Sequence, residues 1–123
     1  MAESRRGPLE FQETDWFGDA LKGLGKPNDT IVRATVRLFE AAWNRCDQEL
    51  PPLYDTKRLR PSPRGGTVLQ IRAKKFRAVV LFPDEDSSGY WIDAFKKTKD
   101  NNKKDVGRAL KRAEQFLGGK RDG

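Results

Sequence analysis

Apolar side chains at Val32, Val36, Phe39, Trp43, Cys46 and Leu50 recur at intervals of 4, 3, 4, 3 and 4, which traces one continuous face of an α-helix. A neighbouring stripe of Ile31, Ala34, Leu38, Ala41 and Ala42 widens that face. Asn28 or Asp29 is placed to cap the helix and Pro51-Pro52 to end it, so the pattern predicts a helix over residues 30–50. Before it, Thr14 or Asp15 opens a shorter helix with Trp16, Phe17, Ala20, Leu21 and Leu24, stopped by Gly23, Gly25 and Pro27. A short connection makes the two an antiparallel hairpin. Leu9-Glu10-Phe11 reads as a short strand.

At Thr67 the period changes from 3.6 to two. Leu69, Ile71 and Ala73 alternate with Val68, Gln70 and Arg72, predicting a strand over 67–73. Lys74-Lys75 forms a tight turn into a strand over 76–82, apolar on both faces except at Arg77, which stands as the one charge in the middle of the middle strand. A polar loop over 83–89 leads to a third strand over 90–95. Asp100, Asn101 or Asn102 caps a last helix, which buries Val106, Ala109, Leu110, Ala113, Phe116 and Leu117 and stops at Gly118-Gly119. Lys104, Arg108, Lys111 and Arg112 show on its other side. The fold class is α+β: an N-terminal helical hairpin packed on one face of a small antiparallel meander, a less covered opposite face, and a C-terminal helix. Residues 1–8 are expected as a flexible arm, 9–117 as a single domain and 118–123 as a flexible tail.

Charge sharpens this picture. Residues 56–83 carry eight basic side chains (Lys57, Arg58, Arg60, Arg64, Arg72, Lys74, Lys75, Arg77) and no acidic one. Residues 96–112 add eight more (Lys96, Lys97, Lys99, Lys103, Lys104, Arg108, Lys111, Arg112) against Asp100 and Asp105. With a net charge of +7 and a pI near 9.8, cations set on a rigid sheet point to a polyanion, most commonly RNA or DNA. No apolar run approaches the ~20 residues of a spanning helix. A single cysteine, Cys46, excludes an intrachain disulfide, and zero histidines exclude the usual zinc sets and the usual neutral-pH base. A cytoplasmic protein without metal or cofactor is the expectation.

Three segments then carry a resemblance: Leu-Gln-Ile-Arg ending at Arg72, the strand Phe76-Arg77-Ala78-Val79-Val80-Leu81-Phe82, and Trp91-Ile92-Asp93-Ala94-Phe95-Lys96-Lys97-Thr98-Lys99 followed by a helix bearing Ala109 and Ala113. In this order they resemble the RelE/ParE superfamily of bacterial toxins, and most closely its HigB-like, phage-derived branch. The departures are a Phe-x-Lys-Lys segment one residue shorter, Asp100-Asn101-Asn102 in place of Thr-Pro, Asp93 where this branch often has histidine, and no catalytic histidine or tyrosine in the C-terminal tail.

The resemblance implies the toxin of a type II toxin–antitoxin system, a metal-independent endoribonuclease that cuts messenger RNA on the ribosome. The 2′-hydroxyl attacks the adjacent phosphate and leaves a 2′,3′-cyclic phosphate. Arg77 would hold the charge of the phosphorane, Lys97 (or Lys96, given the shortened segment) the leaving oxygen, and Arg72 would flank the phosphate. Lys74, Lys75, Lys96, Lys99 and Lys103 would bind RNA. A lysine depressed by its cationic neighbours, or Asp93, is the candidate base. The implied partners are the ribosome, mRNA and an acidic helix-turn-helix antitoxin, with no membrane. Two other functions suit the same fold: a ParE-like inhibitor of DNA gyrase, and a non-catalytic RNA- or ribosome-binding phage protein. A purely structural Arg77 would pair with Glu40 or Glu49.

Overall fold

The computed structural model describes residues 10–45, 56–59, 65–85, 87–99 and 102–122. The predicted arm at residues 1–8, the helix end at 46–50 with Pro51-Pro52, Glu49 and the caps Asp100 and Asn101 lie outside them. The elements in chain order are β1 (Glu10–Glu13), α1 (Asp15–Leu24), α2 (Asn28–Arg45), β2 (Thr56–Arg58), β3 (Gly66–Ala73), β4 (Phe76–Pro83), β5 (Ser88–Lys96) and α3 (Lys103–Asp122). The strands form one mixed sheet in the order β1-β5-β4-β3-β2. Only the β1–β5 pair is parallel.

Thr14 opens α1 as predicted, and its hydroxyl has two roles. It accepts from the Phe17 amide at 3.4 Å while donating to the Trp91 carbonyl at 2.8 Å, so the helix start is fixed to β5. The helix runs through Gly23 and stops at Gly25, whose φ of 82° suits glycine and whose N–H caps the Leu21 and Lys22 carbonyls. β1 is tied to α2 by Arg33, which binds Glu13 and Asp29, each at 2.7 Å. Those hydrogen bonds, Glu13's above all, raise the Arg33 guanidinium above its ordinary value. Gly89 is where β1 meets β5: a Cβ there would come within 2.7 Å of the Phe11 ring.

The sheet is buried on both faces. Leu69, Ile71, Ala73, Phe76, Ala78, Val80, Trp91 and Ala94 meet Phe17 and Leu21 of α1 and Val32, Val36 and Phe39 of α2. On the other face Val68, Val79, Leu81, Tyr90, Ile92 and Phe95 meet Ala109, Ala113 and Leu117 of α3. The face expected to be less covered is thus closed by α3. Trp16 also belongs to that side, and its ring lies 5.7 Å from the Arg112 guanidinium. No helix among the described residues is long and apolar enough to cross a membrane.

Four readings of the sequence need correction. β2, antiparallel to β3, is a strand that the sequence reading did not assign, because three polar residues show no alternation. α2 begins at Asn28 rather than Thr30. α3 continues through Gly118-Gly119 to Asp122, since helical glycine costs only ~1 kcal/mol against alanine. In β5, Val79 pairs with Asp93 but Val80 pairs with Trp91, so Ile92 is an extra residue and the strand bulges. The bulge turns Ile92 and Asp93 to the same side, toward α3.

Candidate functional site

The β3–β4 hairpin gathers the predicted site residues at one end of the sheet. Arg72 pairs directly with Arg77, which in turn faces Phe95 of β5, while Phe76 faces Lys96. Just beyond, the Lys97 amide donates to the Lys75 carbonyl at 2.8 Å. Arg72, Lys74, Lys75, Arg77, Lys96 and Lys97 therefore lie at the same end of the sheet. Arg77 is the second residue of β4, beside the turn, and not mid-strand as the sequence suggested.

Register also sorts the cations by face. Arg72 and Arg77 lie between residues that point into the α1/α2 core, so both project on the α3 side. Lys96 pairs with Phe76 and projects on the α1/α2 side, away from Arg77. Of the two leaving-group candidates, Lys97 lies one residue beyond β5, beside the β3–β4 turn. It is half-buried, and its ammonium donates to the Thr98 carbonyl at 2.6 Å. Like charges directly opposite across a strand pair repel, so an anion placed between Arg72 and Arg77 would be favoured.

Arg77 has a second role. Its Nη1 donates to the Lys74 carbonyl at 3.1 Å and the Phe76 carbonyl at 2.8 Å, holding the hairpin turn. Lys74 sits there at φ 57°. Among the described residues the only other non-glycine in left-handed backbone is Asn102, at φ 55°, and it lies at the same end of the molecule. Such strain persists where the surroundings over-determine it. Asn102 is buried and shows how: its amide donates to the Lys96 carbonyl and to Asp105, and its oxygen accepts from the Thr98 amide. One side chain thereby pins residues 96–98, and with them the base of α3, against the sheet. Lys99 and Lys103 flank it, both exposed.

Asp93 is no base for this site. It is 0% exposed, and both oxygens are engaged: by Arg108 Nε at 3.0 Å and Nη2 at 3.2 Å, by Arg112 at 3.2 Å, and by the Ala94 amide at 2.8 Å. Arg108 also meets Asp105 at 2.9 Å. The hydrogen bonds to Asp93 raise the Arg108 guanidinium above its ordinary value, outweighing burial. Arg108 and Arg112 are thus turned inward, where the sequence had placed them on the outer, basic side of the last helix. Their i, i+4 spacing was the available signal; the bulge hid their partner. Glu40, one expected structural partner of Arg77, instead accepts from Trp91 Nε1 at 2.8 Å on the opposite face. Burial pushes its carboxyl above the ordinary range, an effect that the Trp91 hydrogen bond partly offsets.

A five-stranded sheet clasped by a helical hairpin on one side and a C-terminal helix on the other, with cations at the open hairpin end, is an α+β fold of the RelE type. The fold is shared with a chain of the archaeal RelE–RelB complex from Pyrococcus horikoshii OT3. The match has a TM-score of 0.54, covers 75% of this chain and 98% of that one, and shows 12% sequence identity. No family model matches the sequence, and neither does any curated protein.

Proposed function

We propose that this protein is the toxin of a type II toxin–antitoxin system, of the HigB-like kind, and cuts messenger RNA on the ribosome without a metal. The observation that carries the reading is the register: Arg72 and Arg77 opposite one another on one face, with Lys97 at the adjoining strand exit. Two guanidiniums side by side are suited to a phosphodiester whose charge grows in the transition state. The 2′-hydroxyl attacks the adjacent phosphorus, the 5′-oxygen leaves with a proton, and a 2′,3′-cyclic phosphate remains. Lys97 stabilises the departing oxygen, and Lys74, Lys75, Lys96, Lys99 and Lys103 hold the flanking RNA. Aligning the hydroxyl with the phosphate supplies much of the rate, and the ribosome-bound message provides that alignment. The neighbour's occurrence in a complex supports an antitoxin as partner, one that covers the cationic end in the bacterial cytoplasm.

Inducing the protein in bacteria and mapping mRNA 5′ ends tests the proposal. Cuts at fixed positions in translated codons are expected. A DNA-damage response without cuts would instead identify a gyrase inhibitor. Translation arrest with intact messages would leave only a ribosome-binding protein.

A further inference from the structure

The outer face of α3 carries a feature that cleavage does not use. Gly107 lies inside the helix, exposed, with nothing within 4 Å of where a Cβ would be. Glycine there weakens a helix relative to alanine, and the interior of the protein does not demand it. Gly18, Gly23 and Gly119 are equally open, but Gly107 differs in its surroundings. Its helix-surface neighbours at i−4, i−3 and i+4 are Lys103, Lys104 and Lys111, all exposed. The adjacent Arg108 is neutralised by Asp93 and Asp105, so the charge around Gly107 is that of Lys103, Lys104 and Lys111, with the Glu114 carboxylate one turn beyond Lys111. Lys104 and Lys111 are seven residues apart, about 10 Å along the axis at ~1.5 Å per residue.

We propose that this face docks on the backbone of double-helical RNA, with Gly107 as the point of closest approach and Lys104 and Lys111 on phosphates either side of it. A rigid helix with ammonium groups at fixed spacing suits a duplex, which presents phosphates at fixed spacing and is read by shape and backbone. The missing side chain lets the helix backbone approach the sugar–phosphate chain. The buried Asn102 ties the start of α3 to the Lys96 carbonyl, so this face is held in fixed position relative to the sheet-end site. The proposal rests on the RNA-binding part of the proposed function and not on cleavage.

Binding of the full chain to a labelled RNA duplex of about 20 base pairs, titrated over salt, tests it. Gly107→Ala is expected to raise the melting temperature of the protein yet weaken duplex binding about 3- to 10-fold. Lys104→Ala with Lys111→Ala is expected to lower the slope of log K against log salt by about two, one for each phosphate no longer neutralised. A Gly107→Ala protein that binds the duplex as wild type does, or an unchanged salt slope in the lysine pair, overturns the proposal. So does polyglutamate competing as well as duplex RNA at equal charge, which would assign the face to an acidic protein. Arg72→Ala is the control that separates the two readings. If it abolishes mRNA cutting while duplex binding persists, both stand. If the wild type never cuts but the Gly107 and lysine effects appear, the docking face stands and the nuclease falls.

Discussion

The two faces of the sheet are held by different physics. On the α1/α2 side the bond is aromatic: Trp91 lies 5.7–6.2 Å from the rings of Phe11, Phe17 and Phe39, and Trp43 stacks on Phe82 at 4.7 Å. On the α3 side Ala109 and Ala113 sit on the sheet beside one ring pair, Tyr90 with Phe116 at 4.6 Å, and a buried carboxylate clamped by two arginines supplies the fixed point. Packing is non-directional and strong, whereas the ion network is directional and sets where α3 lies. Arg72 and Arg77 project on this second side.

The largest test of this contrast is Trp91→Ala. It removes the most voluminous fully buried side chain together with the hydrogen bond to Glu40. A loss of about 3–5 kcal/mol is expected in chemical denaturation, enough to unfold much of the population and take the cationic end with it. A loss under about 1 kcal/mol would show that the aromatic face does not dominate.

Asp93→Ala comes next. Removing one partner of a fully buried ion pair costs about 3–5 kcal/mol, but Arg108 is 40% exposed on its side chain and can turn to water, so about 2–3 kcal/mol is expected. The distinguishing readout is local. Amide exchange should accelerate in α3 first while the α1/α2 face stays protected, and uniform acceleration would contradict the division between faces.

This division was only half legible in the chain. The aromatic side announced itself, because Val32, Val36 and Phe39 follow the helical period and Leu69, Ile71 and Ala73 the strand period, and burial obeys both. So did the meeting of Arg72 with Arg77, which follows once Lys74-Lys75 is read as a two-residue turn. Asp93 was illegible because Ile92 breaks the period of two, and its arginine partners lie 15 and 19 positions further on, at Arg108 and Arg112. β2 has too few residues to show a period, and the parallel placement of β1 beside β5 is a matter of long-range topology. Asn102 was one cap candidate among three; its left-handed backbone and its side-chain hydrogen bonds come from tertiary contacts that no local pattern carries.

A smaller effect belongs to Glu40 and depends on pH. Its folded-state pKa is raised, chiefly by burial, so the folded protein favours the protonated form. The stability this contributes is present below the unfolded carboxylate value and is lost as pH rises through the raised one. Glu40→Gln keeps an oxygen for Trp91 and never ionises. It is expected to melt higher than wild type at pH 7, with the difference vanishing toward pH 4. A variant that melts lower at pH 7 would mean the charge is needed, through Arg37 or another neighbour.

Arg72→Ala is expected to move stability least. Arg72 is exposed, and a surface substitution of this kind shifts stability by about 0.5 kcal/mol or less, so the melting temperature should hold. Activity should fall sharply: loss of one preorganised cation at a phosphorane costs about 10²–10³ in rate. Arg77→Ala is the less clean experiment, because it also frees the Lys74 and Phe76 carbonyls and loosens the turn. The pair of measurements therefore separates two meanings of the cationic end. Unchanged stability with lost cleavage marks Arg72 as a charge that serves the reaction and not the fold. Slight destabilisation with intact cleavage would make the arginine pair a structural feature and return the search for the reacting phosphate to the rest of the basic surface.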